Sequence, residues 1–363
     1  MRRARWIGVI VLSTLCRAQS VTDADIARLQ KLLSSGSPAE LLALGQILGS
    51  HQEFSLAEQA FARAAALDPS SFPAQFNFGL TLYQEQNFAQ AVEPLTAAAQ
   101  VQPSSFEANY LLGVVLAQTG RGTDAIRRLR KAHGINARHL GLMTLLGVLY
   151  LDGGYSLDAA EVLDRAREQD SSNEKIQLLL IQARHQNFDF ENALALVRSA
   201  AAQFPKSAHT QFRLGYELET AGRFDEAEAA FSRALVLQPR FAEAHLALGR
   251  LSLRNGRAGN AVDHVEAALR ENSKNPDAKM ELAKAWIATR ELSRAEVILQ
   301  KLLIERPADP ALHALLAQVF SAEGKRDLSA GEREKYLALT GGFSRAGGMT
   351  GSLASSKPRR FEP

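Results

Sequence analysis

Residues 72–105 read FPAQFNFGLTLYQEQNFAQAVEPLTAAAQVQPSS, and residues 208–241 read AHTQFRLGYELETAGRFDEAEAAFSRALVLQPRF. Laid one over the other, Gly79 falls on Gly215, Ala91 on Ala227, and Pro103 on Pro239. The same register extends outward in both directions in steps of 34 residues. Pro69, Pro103, Pro205, Pro239 and Pro307 lie on one grid, as do Gly45, Gly79, Gly113, Gly147, Gly215 and Gly249. Alanine recurs at 57, 91, 125, 159, 193, 227, 261 and 295. A fixed period of this length is the mark of a stacked-repeat solenoid, in which each repeat is one supersecondary unit that buries its apolar face only against its neighbours.

Counting each repeat from place 1 at Pro38, eight repeats of 34 residues run without insertion to Asp309. Apolar residues gather at places 4 to 11 and again at 20 to 27 with three-to-four-residue spacing, which predicts two amphipathic helices per repeat. Gly120, Gly222 and Gly256 sit between the two halves, where a left-handed residue closes a helix; Asn87 is expected to do the same in the second repeat. Proline at place 32 stops the second helix, and Pro38, Pro276 and Pro310 open the next one at place 1. Small residues at places 8, 20 and 27 let helices approach closely, so bulk added there, as in Ala227→Leu, is expected to cost roughly 1–3 kcal/mol.

This pattern resembles the tetratricopeptide repeat, whose consensus has Trp, Leu, Gly, Tyr, Ala, Phe, Ala and Pro at places 4, 7, 8, 11, 20, 24, 27 and 32. The likeness covers 38–309 in one phase. It implies an all-α fold, a right-handed superhelical solenoid of antiparallel helix pairs. Place 4 never carries Trp here, Ile181 and Ala283 replace the glycine at place 8, and Arg184 and Ser252 put polar groups at place 11. Repeats five and seven are therefore expected to be locally looser or to pair those groups internally.

Outside the eight repeats, residues 19–37 are expected to supply an N-terminal capping helix over Thr22–Leu33. Residues 310–340 are expected to form a degenerate ninth repeat with a polar outer face. Residues 341–363 are a basic Gly/Ser-rich tail with no apolar period, expected to be disordered. The tail is read as solubilising, with contact to an anionic surface as the alternative.

The start of the chain has Arg2, Arg3 and Arg5, then the apolar run Trp6–Leu15, then Cys16-Arg17-Ala18. That is the layout of a secretory signal peptide over 1–18, with an apolar run well short of the roughly 20 residues that span a bilayer. No other stretch is apolar enough to span one, so the mature chain is expected to be exported, periplasmic or secreted. The formal charge of +3 includes four arginines in that segment; without it 38 basic residues face 39 acidic ones, net −1, and the high isoelectric point carries no implication of nucleic acid. The one cysteine, Cys16, leaves with the same segment.

The residues give no support for chemistry. The eight histidines have no metal-ligand spacing, a thiol pair is absent, and the glycines around Gly347 lack the lysine and preceding strand of a phosphate loop. No cofactor or metal is expected, and the chain reads as a non-enzymatic interaction scaffold. In the resembled family the first helix of each repeat lines a concave groove through places 2, 5, 6, 9, 12 and 13. Here those places give an aromatic-amide patch of Phe76, Asn77, Tyr83, Gln84 and Tyr110, suited to an extended peptide. They also give a basic-aromatic patch of His209, Arg213, Tyr216, Arg250, Arg254 and Lys284, suited to a carboxylate. The family's set of residues for clamping a C-terminal carboxylate is not present in any three successive repeats. The partner is thus expected to be a protein or peptide, of unknown identity and with no oligomeric state implied. A role beside polysaccharide or glycan machinery is the alternative, because Phe76, Tyr83, Tyr110 and Tyr216 present rings on which sugars stack.

Overall fold

The structure, a computed structural model, describes residues 23–341 and 358–362. The leader expected over 1–18 lies outside the described residues. Among those described there are nineteen helices and no strand.

The chain forms two compact units, which divide between Asn187 and Phe188, with Pro358–Glu362 belonging to the first. The first unit holds α1 (Asp23–Ser35), α2 (Pro38–Ser50), α3 (Phe54–Leu67), α4 (Phe72–Gln84), α5 (Phe88–Val101), α6 (Phe106–Gln118), α7 (Gly122–Ile135), α8 (Leu140–Asp152), α9 (Ser156–Gln169) and α10 (Glu174–Gln186). The second holds α11 (Phe190–Gln203), α12 (Ala208–Thr220), α13 (Phe224–Leu237), α14 (Ala242–Arg254), α15 (Ala258–Glu271), α16 (Pro276–Ala288), α17 (Leu292–Glu305), α18 (Pro310–Ala322) and α19 (Arg326–Leu339). The expected two helices per repeat are present throughout. The division falls inside the fifth repeat, the one with Ile181 in place of glycine and Arg184 at place 11.

Two positions set the helix boundaries, place 34 in every repeat but the one before α14, where Phe241 makes no side-chain cap, and place 15 in all of them. At place 34 a short polar side chain caps the next helix by accepting the backbone N–H of its first turn. Ser37, Ser71, Ser105, Asn173, Ser207, Asn275 and Asp309 all do this. His139 caps α8 the same way, through Nδ1 accepting from the Leu142 N–H at 3.0 Å. At place 15 every repeat turns through a left-handed residue: Gly120, Gly154, Gly222, Gly256 and Gly324, but also Gln52, Gln86, Phe188 and Arg290. This corrects the expectation for the second repeat, where Gln86 and not Asn87 makes the turn. The left-handed residue lets the N–H at place 16 reach the carbonyl at place 11, as in Asn87→Leu82, Arg121→Leu116 and Arg223→Leu218. These are the long bonds of a Schellman closure.

Packing within each repeat turns on places 8 and 24. A Cβ built on Gly45, Gly79, Gly113, Gly147, Gly215 or Gly249 would lie 2.5–2.6 Å from the side chain at place 24 of the same repeat, respectively Phe61, Leu95, Leu129, Leu163, Phe231 or Val265. The large residue therefore rests directly on the backbone of the first helix. The alanines at places 20 and 27, Ala227 among them, are fully buried beside it.

Place 4, which lacks the family's Trp, has a different task in this chain. In five of the repeats the amide or imidazole there donates to the carbonyl at place 32 of the preceding repeat. The pairs are Gln75 to Pro69 (3.4 Å), Asn109 to Pro103 (3.1 Å), Gln177 to Ser171 (2.6 Å), His245 to Pro239 (3.1 Å) and His313 to Pro307 (3.2 Å). Each bond ties a helix to the turn that introduces it. Arg184, the polar residue at place 11 of the fifth repeat, pairs with Asp164 on α9, so the charge is compensated inside the first unit.

Candidate peptide-binding surfaces

The aromatic-amide patch lies on α4 and α6 in the first unit, and it is built twice. Phe72 and Phe76 stack with centroids 5.5 Å apart and planes 9° from parallel, and one repeat later Phe106 and Tyr110 stack at 5.5 Å and 10°. The spacing of four residues puts each pair on one helix face. The capping imidazole of His139 closes the second pair, 5.0 Å from Phe106 and 4.9 Å from Tyr110. Tyr83 leans on Phe88 at 5.8 Å. Phe76, Asn77, Tyr83 and Tyr110 are each half-buried and Gln84 is exposed, so the rings are held by the core on one side and open on the other.

Burial pushes the phenols of Tyr83 and Tyr110 up from their ordinary value, and that of Tyr110 also feels Tyr83. Both stay neutral at physiological pH and offer a hydroxyl that donates and accepts. Rings fixed by stacking lose little entropy on binding, which suits them as anchors for an apolar side chain, while the amides of Asn77 and Gln84 suit a peptide backbone.

The basic-aromatic patch in the second unit differs from its expected form. Arg213 is turned inward: its guanidinium lies 2.7 Å from the buried carboxylate of Glu217 and 5.2 Å from the ring of Tyr216. Burial lowers its affinity for the proton and Glu217 restores part of it. Lys284 pairs with Glu281 at 3.0 Å. Arg254 is exposed but stands over the Phe224 ring at 3.3 Å. His209 and Arg250 are exposed, His209 with its ring 5.1 Å from Phe241. Much of the positive charge expected to face a partner is therefore engaged within the fold.

Two side-chain clusters escape the sequence. His245 and His264, nineteen residues apart, meet across α14 and α15 with their Nδ1 atoms 3.2 Å apart. Among the described residues no group of three His, Cys, Asp or Glu side chains is placed to hold a metal. The other cluster lies at the corner of α8 and α9, where Phe361 of the tail is buried against Tyr150 and Tyr155. No described helix is long and apolar enough to cross a membrane.

Comparison with known proteins agrees with this geometry. Models of the tetratricopeptide repeat match residues 42–100, 76–135, 144–208, 212–276 and 252–319. A tetratricopeptide repeat protein from Parabacteroides merdae superposes with a TM-score of 0.50 at 13% identity, covering 68% of this chain and 98% of that one. PilW, a widely conserved type IV pilus biogenesis factor, superposes with a TM-score of 0.52 at 21% identity, covering 57% and 96%. At these identities the two structures show a shared fold and nothing further. The beta-barrel assembly-enhancing protease of Yersinia pestis is 26% identical over 133 residues, which are 37% of this chain and 27% of the protease.

Proposed function

Because this chain belongs to the tetratricopeptide repeat family, a fold that supplies binding faces for other proteins, we propose that it is a non-enzymatic scaffold of the cell envelope that holds a peptide or protein segment along the first helices of its repeats. The observation that carries this reading is the doubled aromatic strip of α4 and α6, in which Phe76 and Tyr110 are stacked from below and open above. Such a strip is larger and more ordered than the repeat requires. The other repeats of the first unit carry Leu42, Thr144 and Leu178 at the same place 5 and pack without it.

Two observations support the remaining parts. Several side chains of types that carry chemistry elsewhere are engaged here in structural bonds: His139 in a cap, His245 and His313 in turn bonds, Glu226 and Glu228 in ion pairs with Arg223 and Arg257. The envelope placement rests on the leader-like start, and the partial likeness to a protease named for beta-barrel assembly agrees with it.

In-cell crosslinking followed by mass spectrometry tests the proposal. The expected result is a protein partner with crosslinks clustered on α4 and α6, lost in the Tyr83→Ala/Tyr110→Ala variant. Crosslinks that persist in that variant would overturn the assignment of the strip. A chain retained in the cytoplasm with its first eighteen residues intact would overturn the envelope placement.

A further inference from the structure

The tail is expected from its composition to have no order, yet Pro358–Glu362 is seated at the corner of α8 and α9, and each of three consecutive residues makes contacts there. Phe361 is only 6% exposed. Its ring meets Tyr155 edge-on at 5.1 Å and 89°, lies 6.3 Å from Tyr150, and has the Arg130 guanidinium 5.6 Å above it. The two tyrosines stand edge to face with each other at 6.4 Å and 86°, so the box is internally braced. The backbone N–H of Phe361 donates to Asp158 Oδ2 at 2.8 Å. Arg360 reaches Glu161 at 3.1 Å and the other oxygen of Asp158 at 3.7 Å. Arg359 stands over Tyr155 at 6.0 Å.

The repeat register makes this corner unlike its equivalents. Place 16 is Glu53, Asn87, Arg121, Asp189, Arg223, Arg257, Glu291 and Lys325 in the other repeats, polar every time, and Tyr155 only here. Place 11, near the end of α8, carries Tyr150, the residue of the family consensus, and aromatic rings again at Trp286 and Phe320, so what is peculiar to this corner is Tyr155. The fold closes this turn elsewhere without a ring at place 16. Among the described residues, the aromatic box occurs in the repeat where an aromatic side chain arrives from outside the array, and the wall beside it is acidic where that segment is basic.

We propose that the α8–α9 corner is a peptide-binding site for an extended Arg-Arg-aromatic segment, and that its resident ligand is the chain's own C-terminal Arg359-Arg360-Phe361. Recognition has two parts. The box takes the ring by edge contact and by the cation of Arg130. Asp158 reads the backbone N–H and, with Glu161, the arginine that precedes it. Glu161 is itself held by Arg165 at 2.9 Å, one turn along α9. The site uses places 11, 16, 19 and 22, with Arg130 from place 25 of the preceding repeat, none of them groove-facing places, so it stands or falls separately from the strip on α4 and α6.

The test uses the full chain and a fluorescein-labelled peptide of residues 356–363, read by fluorescence polarisation. The full-length Phe361→Ala chain leaves the site open and is expected to bind the peptide saturably. The wild-type chain is expected to bind it at least about tenfold more weakly, because a tethered tail competes at an effective concentration near the millimolar range. A peptide with the Phe361→Ala change is expected not to bind, and adding Asp158→Asn to the open chain is expected to weaken binding by about tenfold, because the carboxylate serves both the Phe361 N–H and Arg360. Circular dichroism of each variant establishes that it is folded, and the substituted peptide needs no folding. Equal binding by the wild-type and open chains, or unchanged binding of the substituted peptide, would overturn the proposal. A wild-type chain that runs as a dimer, and the Phe361→Ala chain as a monomer, would overturn residence of the tail on its own chain.

Discussion

The Cβ that Gly79 lacks would sit 2.5 Å from Cγ of Leu95 and 3.3 Å from the Leu95 backbone nitrogen. Leu95 is fully buried, and its neighbours Leu112 and Val115 leave it nowhere to withdraw. Gly79→Ala is therefore expected to lower stability by about 1–3 kcal/mol, the usual cost of overpacking a filled core. Gly331→Ala supplies the contrast. Gly331 lies inside α19, where an added Cβ meets nothing within 4 Å, so the substitution is expected to raise stability by about 0.5–1 kcal/mol. Urea unfolding of the two variants beside the wild type checks both signs.

Gln86 and Arg290 turn through φ of 64° and 66°. A side chain in this region brings Cβ too near the following carbonyl, at roughly 1–2 kcal/mol per residue. Gln86→Gly and Arg290→Gly are each expected to stabilise the fold by about 1 kcal/mol, less the greater freedom glycine adds to the unfolded chain. Gly222→Ala is expected to cost a similar amount although nothing lies within 4 Å of the added carbon, because the strain is in the backbone. Thermal melts separate the cases: a gain for the first two, a loss for the third.

The architecture was legible because a repeat states its packing rules eight times. Glycine at place 8 and a large residue at place 24 recur in the sequence as they meet in the fold, and the helix boundaries follow from that phase. What was not legible arises where the chain meets itself at long range. Nothing local brings His264 to His245 or Phe361 to Tyr155; those contacts exist only once the helices are stacked. Arg213 misled for a related reason. Its place in the repeat pointed outward, but Glu217, one turn on, drew the guanidinium in. Tyr155 could have been found from the register, since it alone breaks a polar column.

The imidazole pair gives a pH dependence whose sign is fixed by geometry. The Pro239 carbonyl can only accept, so His245 donates from Nε2 and its Nδ1 accepts from His264. Burial holds the His264 ring below its ordinary value of 6.5; His245 and Arg257 add to that, while Asp263 and Glu228 oppose it. As acid is added, the unfolded chain takes up the proton first. The stability from this site is present above about pH 6.5 and is lost as pH falls below it. The urea midpoint of the wild type is expected to drop between pH 7.5 and 5.5. His133, also held low by burial, contributes a share of that drop. His264→Gln is expected to flatten the difference but not abolish it, and an unchanged slope would remove His264 from the account.

Arg213 and Glu217 form an ion pair 2.7 Å long whose side chains are 18% and 1% exposed. Removing one partner leaves the other charged where water reaches it poorly, which in buried pairs costs about 3–5 kcal/mol. Glu217→Gln is expected to approach the lower end of that range, since Arg213 keeps some contact with solvent and with the Tyr216 ring. Arg213→Met alone is expected to destabilise for the converse reason, taking from the buried carboxylate the cation 2.7 Å away. The double variant Arg213→Met/Glu217→Leu replaces both charges with apolar volume and is expected to recover most of the loss, so the double-mutant cycle shows strong coupling. This separates a structural arginine from a partner-binding one. A side chain held out for a ligand would give little coupling, and its loss would weaken binding while leaving the unfolding midpoint where it was.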